Sequence, residues 1–150
     1  MPLYPVNAEL VAVHWLRSLA LGPGVATSLP ARDATPSWEA TGFLQVGSSG
    51  GAPHLYTGRQ ASMIAVDSYA FSSGTRSVPW GRAATALADL KAVVDGRNVS
   101  GRVETPATFQ DARLMGVAVN ADPQRIPDDG GMARYSMLLE LWWVPISEEA

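Results

Sequence analysis

The sequence predicts an α+β domain in which two helices lie on a mainly antiparallel sheet. Two stretches, one opening near Asn7 and one near Pro79, carry apolar residues at helical spacing. Five others read as strands, and the last alternates apolar and other residues without a break. The resulting order is α, β, β, β, α, β, β. It sets strands beside strands instead of following each with a helix, which favours antiparallel pairing over a parallel α/β sheet.

Asn7 is a good N-cap, and Glu9 stands in the first turn, where the helix dipole favours a negative charge. Ala12, Trp15, Leu16 and Leu19 define the apolar face, and Gly22-Pro23-Gly24 is the expected stop. Val25 to Leu29 reads as a short strand, Pro30 to Ser37 as loop, and Gly42 to Val46 as strand. Gly47 to Pro53 carries three Gly, two Ser and a Pro in seven residues and is expected to be a loop or flexible turn. Ser62 to Phe71 follows as a strand with Ile64, Val66 and Ser68 on one face. Met63, Ala65, Asp67, Tyr69 and Phe71 lie on the other. Both faces are largely apolar, so a central strand covered on both sides is expected.

The second helix is expected from about Pro79 to Asp95, with Gly96 at its C-terminal stop. Ala83, Leu87, Leu90 and Val94 form one stripe for packing on the sheet. A less regular stretch containing Pro106 comes next. Arg113 to Asn120 is a strand with Met115, Val117 and Val119 on one face. Ala133 to Val144 is another, alternating Tyr135, Met137, Leu139, Leu141 and Trp143. Residues 122–131 join them, a connection far longer than the two to five residues a hairpin needs. The two strands are therefore read as a long C-terminal β-hairpin arm.

With 150 residues, one domain is expected, and a chain of this length folds without disulfides or metal. Hydrophobic residues make up 47% and charged residues 17%, which excludes disorder along the whole chain. The net charge is −3 and no basic block occurs, so binding driven by phosphate neutralisation is not expected. There is no Cys, which removes thiolate metal sites and Cys nucleophiles. The first residues lack the basic start and apolar run of a signal peptide, and no segment approaches the ~20 apolar residues of a membrane span. A soluble protein of the cytoplasm is the expectation, with no membrane partner.

The histidines are His14 and His54. Neither His-x-x-x-His spacing nor a Gly-x-Ser-x-Gly elbow occurs, so no catalytic residue, metal ligand or cofactor site is expected. The rival reading is a small hydrolase using His54 with a nearby Ser and Asp. Gly47 to Gly51 lacks the Gly-Lys-Ser/Thr of a phosphate loop. Asp67, inside an apolar strand, is the best candidate for a perturbed acid, and a carboxylate at the sheet rim, hydrogen-bonded or paired with an Arg, is its expected state. In Trp142-Trp143 the two rings must face opposite sides of a strand. One can join the core, while the other must meet a helix, a partner or water, and an exposed Trp without a ligand motif points to a protein contact.

Several pieces, taken in order, resemble a known family. Val25-Ala26-Thr27-Ser28-Leu29-Pro30 follows an N-terminal helix, and Ser62 to Ala70 is a strand with an Asp and then an aromatic. Pro79-Trp80-Gly81-Arg82-Ala83 opens a helix, and Pro123 to Asp129 leads through glycines into Ala133-Arg134-Tyr135-Ser136. The series, spanning about residues 5 to 145, resembles the tail-terminator (tail-completion) proteins of long-tailed bacteriophages. The resemblance implies an α+β subunit that forms a ring, usually of six copies, without catalysis. Such a ring ends tail-tube polymerisation and joins the tail to the head connector. The implied partners are further copies of the chain, the tail-tube protein and head–tail connector proteins. The implied location is the virion neck, reached by assembly in the host cytoplasm. A head–tail connector or another neck protein is the neighbouring reading. In such a ring Arg125, Ile126, Pro127, Asp128 and Asp129 would reach a neighbour or the tube, with Arg134 and Trp142 as further contacts.

Overall fold

Asn7 caps the first helix as expected. Its Oδ1 accepts from the Leu10 backbone N–H at 2.9 Å, and α1 runs Ala8–Ser18. The computed structural model describes residues 4–53, 59–73, 77–96, 99–127 and 131–146. After α1 come β1 (Gly24–Ala26), β2 (Phe43–Pro53), β3 (Gln60–Ala70), α2 (Trp80–Gly96), β4 (Gly101–Val103), β5 (Ala112–Arg125) and β6 (Ala133–Pro145). The six strands form one sheet in the order β1-β2-β3-β6-β5-β4. Only the β1–β2 pair is parallel, so the α+β class holds.

Both helices cover the same face. Val11, Ala12, Trp15 and Leu16 of α1 and Leu87, Leu90 and Val94 of α2 share one core with Leu44, Val46, Ile64, Val66, Met137, Leu139, Leu141 and Trp143. The period of two along β3 and β6 meets the helical stripe of α2, and the expected stripe is the buried one. Where α2 begins, Ala70, Ala83 and Ala133 keep helix and sheet close.

Four expectations change. First, Gly47 to Pro53 is strand, paired from Gly47↔Ala65 to Pro53↔Gln60, with a bulge between Ser48 and Gly50. Gly50 takes φ +117°, a left-handed value that Gly adopts freely, so its presence permits the bulge instead of ending the strand. Second, β5 continues past Asn120 to Arg125, and Gln124 and Arg125 pair with Ser136 and Tyr135. Much of the supposed long connection is therefore hairpin ladder. Third, a bulge between Leu114 and Gly116 shifts the phase of β5. Leu114, Val117 and Val119 face the core, while Met115 is 39% exposed. Fourth, α1 stops earlier than Gly22. Leu19 is its C-cap and Ala20 takes the left-handed position at φ 50°.

Among the described residues, the second face of the sheet is covered at one end only. There Trp38, Phe43, Tyr69 and Phe71 form a small cluster, with Trp38 edge-on to Phe71 at 4.6 Å. Trp38 Nε1 donates to the Ala31 carbonyl at 3.0 Å, which folds the loop before β2 over that corner. The expectation of β3 covered on both sides holds at Tyr69 and Phe71. It fails from Ala61 to Asp67, where every second residue is half-buried.

Candidate interaction surface

The uncovered part of the sheet is built by β3, β6 and β5. Ala61, Met63 and Ala65 of β3 lie opposite Trp142, Glu140 and Leu138 of β6. Gly116, Ala118 and Ala121 of β5 complete the other side of those same three residues. Alternation puts all of them on the face away from the helices, because Ile64, Leu139, Leu141 and Trp143 point into the core. Trp142 is 36% exposed, Gly116 lies against its indole, and the exposed Met115 stands in the bulge just before Gly116. Trp143 is buried, and its Nε1 donates to Ser62 Oγ at 3.1 Å. The two neighbouring Trp thus divide as period two requires.

Besides the Asp67–Arg134 ion pair, two charged side chains stand on this face. Glu140 is half-buried between Met63 and Ala118, and Arg113 is exposed opposite Val144. Neither pairs with a described residue. Four residues of β6 separate their levels, roughly 13 Å at strand rise, too far for them to meet within one chain.

The hairpin residues gather at the other end of the sheet. Arg125 is exposed, but its guanidinium lies 3.7 Å from the centroid of the Trp80 ring, which in turn meets Tyr135 edge-on at 6.0 Å. The Ile126 N–H donates to the Arg134 carbonyl at 2.9 Å, and Pro127 is exposed. Asp128 and Asp129 lie outside the described residues. Arg134 Nη2 bonds Asp67 Oδ2 at 2.7 Å, and the guanidinium lies 5.5 Å from the Tyr69 ring. The expected Arg partner of Asp67 is thus found, although the pair bridges β3 and β6 on the sheet face and is not at a rim. Arg125 and Arg134 project to opposite faces. Trp142 lies eight residues along β6 from Arg134, roughly 27 Å away. The residues singled out in the sequence are therefore split between two places.

A cleft of about 690 Å³ lies where α1, α2 and β4 meet, lined by His14, Arg17, Ser18, Arg102 and Glu104 among others. Burial, and then the charge of Arg17, hold the His14 imidazole below its ordinary 6.5. Ser18 Oγ donates to the Trp15 carbonyl of its own helix instead of to His14. Arg17 bonds the Val25 carbonyl at 2.9 and 3.0 Å, and Arg102 bonds Asp111. These groups brace the fold and do not converge on a reacting atom. His54 lies outside the described residues. Among the described residues no three of His, Cys, Asp and Glu are placed to hold a metal, and no helix is long and apolar enough to cross a membrane.

The fold and this face define the class no more finely than a small α+β chain with an uncovered apolar sheet face. Neither the protein-family models nor the curated proteins include a match to this chain. Sequence reasoning found Trp142 but missed its companions Met115, Leu138, Glu140 and Arg113. The second phase of β6, Leu138-x-Glu140-x-Trp142, was a readable signal. The bulge that brings Met115 to it was not.

Proposed function

We propose that the protein is a structural subunit of a virion: a tail terminator that forms a closed ring, caps the tail tube and joins it to the head connector. The observation that carries the assembly reading is the uncovered face with Ala61, Met63, Ala65, Met115, Ala118, Leu138 and Trp142. Large apolar side chains grouped on one exposed patch mark contact sites in proteins of this size. The choice of terminator rests on the sequence series from the N-terminal helix to Ala133-Arg134-Tyr135-Ser136. The mechanism is geometric. Copies joined by a heterologous contact close into a ring, and the closed ring offers the next tube subunit no matching surface. No chemical step is involved, so the surface has to supply only shape and apolar area.

The test is assembly. Light scattering and negative-stain microscopy of the chain, alone and mixed with tail-tube protein at high concentration, are expected to reveal closed rings. A chain that forms no ring under either condition overturns this function.

A further inference from the structure

Glu140 and Arg113 are opposite charges on one apolar face, each without a partner among the described residues, with Trp142 between their levels. A half-buried carboxylate flanked by Met63 and Ala118 is poorly placed in an isolated chain, because its surroundings give no counter-charge. Consider a two-fold axis lying in the plane of the face and crossing the strands over Trp142 and Gly116. That operation exchanges the Glu140 level with the Arg113 level. Glu140 of one copy then meets Arg113 of the other, and the same pair forms again on the far side of the axis. Such reciprocity is the signature of an isologous contact.

We propose that the free chain pairs with a second copy through this face, with two Glu140–Arg113 bridges and the Trp142 rings at the axis. The inference rests on reading the face as an assembly surface and not on the tail-terminator assignment. Sheets stacked face to face sit about 10 Å apart, a gap that Trp, Met and Leu side chains fill. The small residues Ala61, Ala65, Gly116 and Ala118 leave room for the large ones of the facing copy. Pairing also covers an apolar patch that would otherwise promote aggregation before assembly.

A charge-swap cycle read by sedimentation equilibrium tests the pairing. The wild type is expected as a dimer of the 15.9 kDa chain, in equilibrium with monomer on dilution. Glu140→Arg and Arg113→Glu, each creating two like-charge contacts, are each expected to weaken the dimer by roughly tenfold or more. The double variant is expected to recover most of the loss, which a folding defect in either single variant would not allow. Thermal melts of all three variants serve as the folding control. If a swap melts early, Glu140→Gln takes its place, with a smaller weakening expected. A wild type that stays monomeric, single variants that dimerise normally, or a double variant that is not rescued would each overturn the pairing. Rings that form and are indifferent to the swaps remove the pairing and leave the terminator reading standing. A rescued dimer that never forms rings with tube protein does the reverse.

Discussion

Asp111 shows how one side chain can hold an edge of the sheet. Its Oδ1 accepts from the Thr105 N–H at 3.0 Å, and its Oδ2 accepts from Arg102 Nη2 at 2.6 Å, tying β4 to the start of β5. The Thr105 N–H first, and then Arg102, hold its carboxyl below the ordinary 3.8. A carboxylate with a depressed folded value contributes stability above its unfolded pKa and loses it as pH falls through the folded one. Asp111→Asn is expected to cost about 1–2 kcal/mol at pH 7, reduced by the exposure of Arg102. In urea titrations the gap from wild type should close as pH falls below 3.8. His14 works in the same sense in a higher window. With its folded pKa below 6.5, the neutral ring contributes stability above pH 6.5 that is lost as pH falls through the folded value. Wild type should therefore lose more stability between pH 7 and pH 5 than His14→Gln, in denaturant midpoints measured at both. Ala20 at φ 50° is the third case. A left-handed non-Gly residue costs about 1–2 kcal/mol, and Gly gives back about 0.5–1 in unfolded-state entropy. Ala20→Gly should raise the melting temperature by about 1–3 °C in calorimetry.

At the scale of elements, β6 is the spine of the sheet and the strand easiest to read. Its alternation of Met137, Leu139, Leu141 and Trp143 is the alternation that is buried. Leu139 has no exposed surface and lies in the core shared with the helices, so Leu139→Ala should cost about 2–5 kcal/mol in chemical denaturation. β5 was harder to read because its three register shifts change which residues face the core, and period-two counting assumes a constant register. Met115 therefore moved from an expected face-mate of Val117 to the exposed side. β2 was misread for a different reason. Gly and Ser have little to pack, so they argue against a strand by composition, yet the backbone ladder to β3 needs no side chains. At the hairpin end, the stack of Arg125 on Trp80 adds a helix–strand staple. Arg125→Ala should lower stability by about 0.5–1 kcal/mol, seen as earlier exchange of the Ile126 amide proton.

For the molecule as a whole, one covered face and one partly open face separate stability from assembly. The helix-covered side contains the continuous core, while the open part of the other side, away from the Trp38 corner, contributes little burial to the isolated chain. Trp142→Ser should therefore leave the melting temperature within a few degrees of wild type while reducing self-association in light scattering. A fall in stability as large as that of Leu139→Ala would mean that Trp142 belongs to the core.

The sequence by itself determined the α+β class, both helices with their packing stripes, the Asn7 cap and the buried phase of β6. Each of these depends on local periodicity or on a side chain reaching three or four residues along the chain. The sequence also required the two adjacent Trp to face opposite sides of their strand. Only the tertiary structure decided the extension of β2 and β5, the place of β4, and the corner that Trp38 covers. It alone set Glu140 and Arg113 on one face with Trp142 between them. Those outcomes depend on which strands become neighbours and on where bulges shift their register. Such pairings link residues far apart in the chain, and no local spacing encodes them.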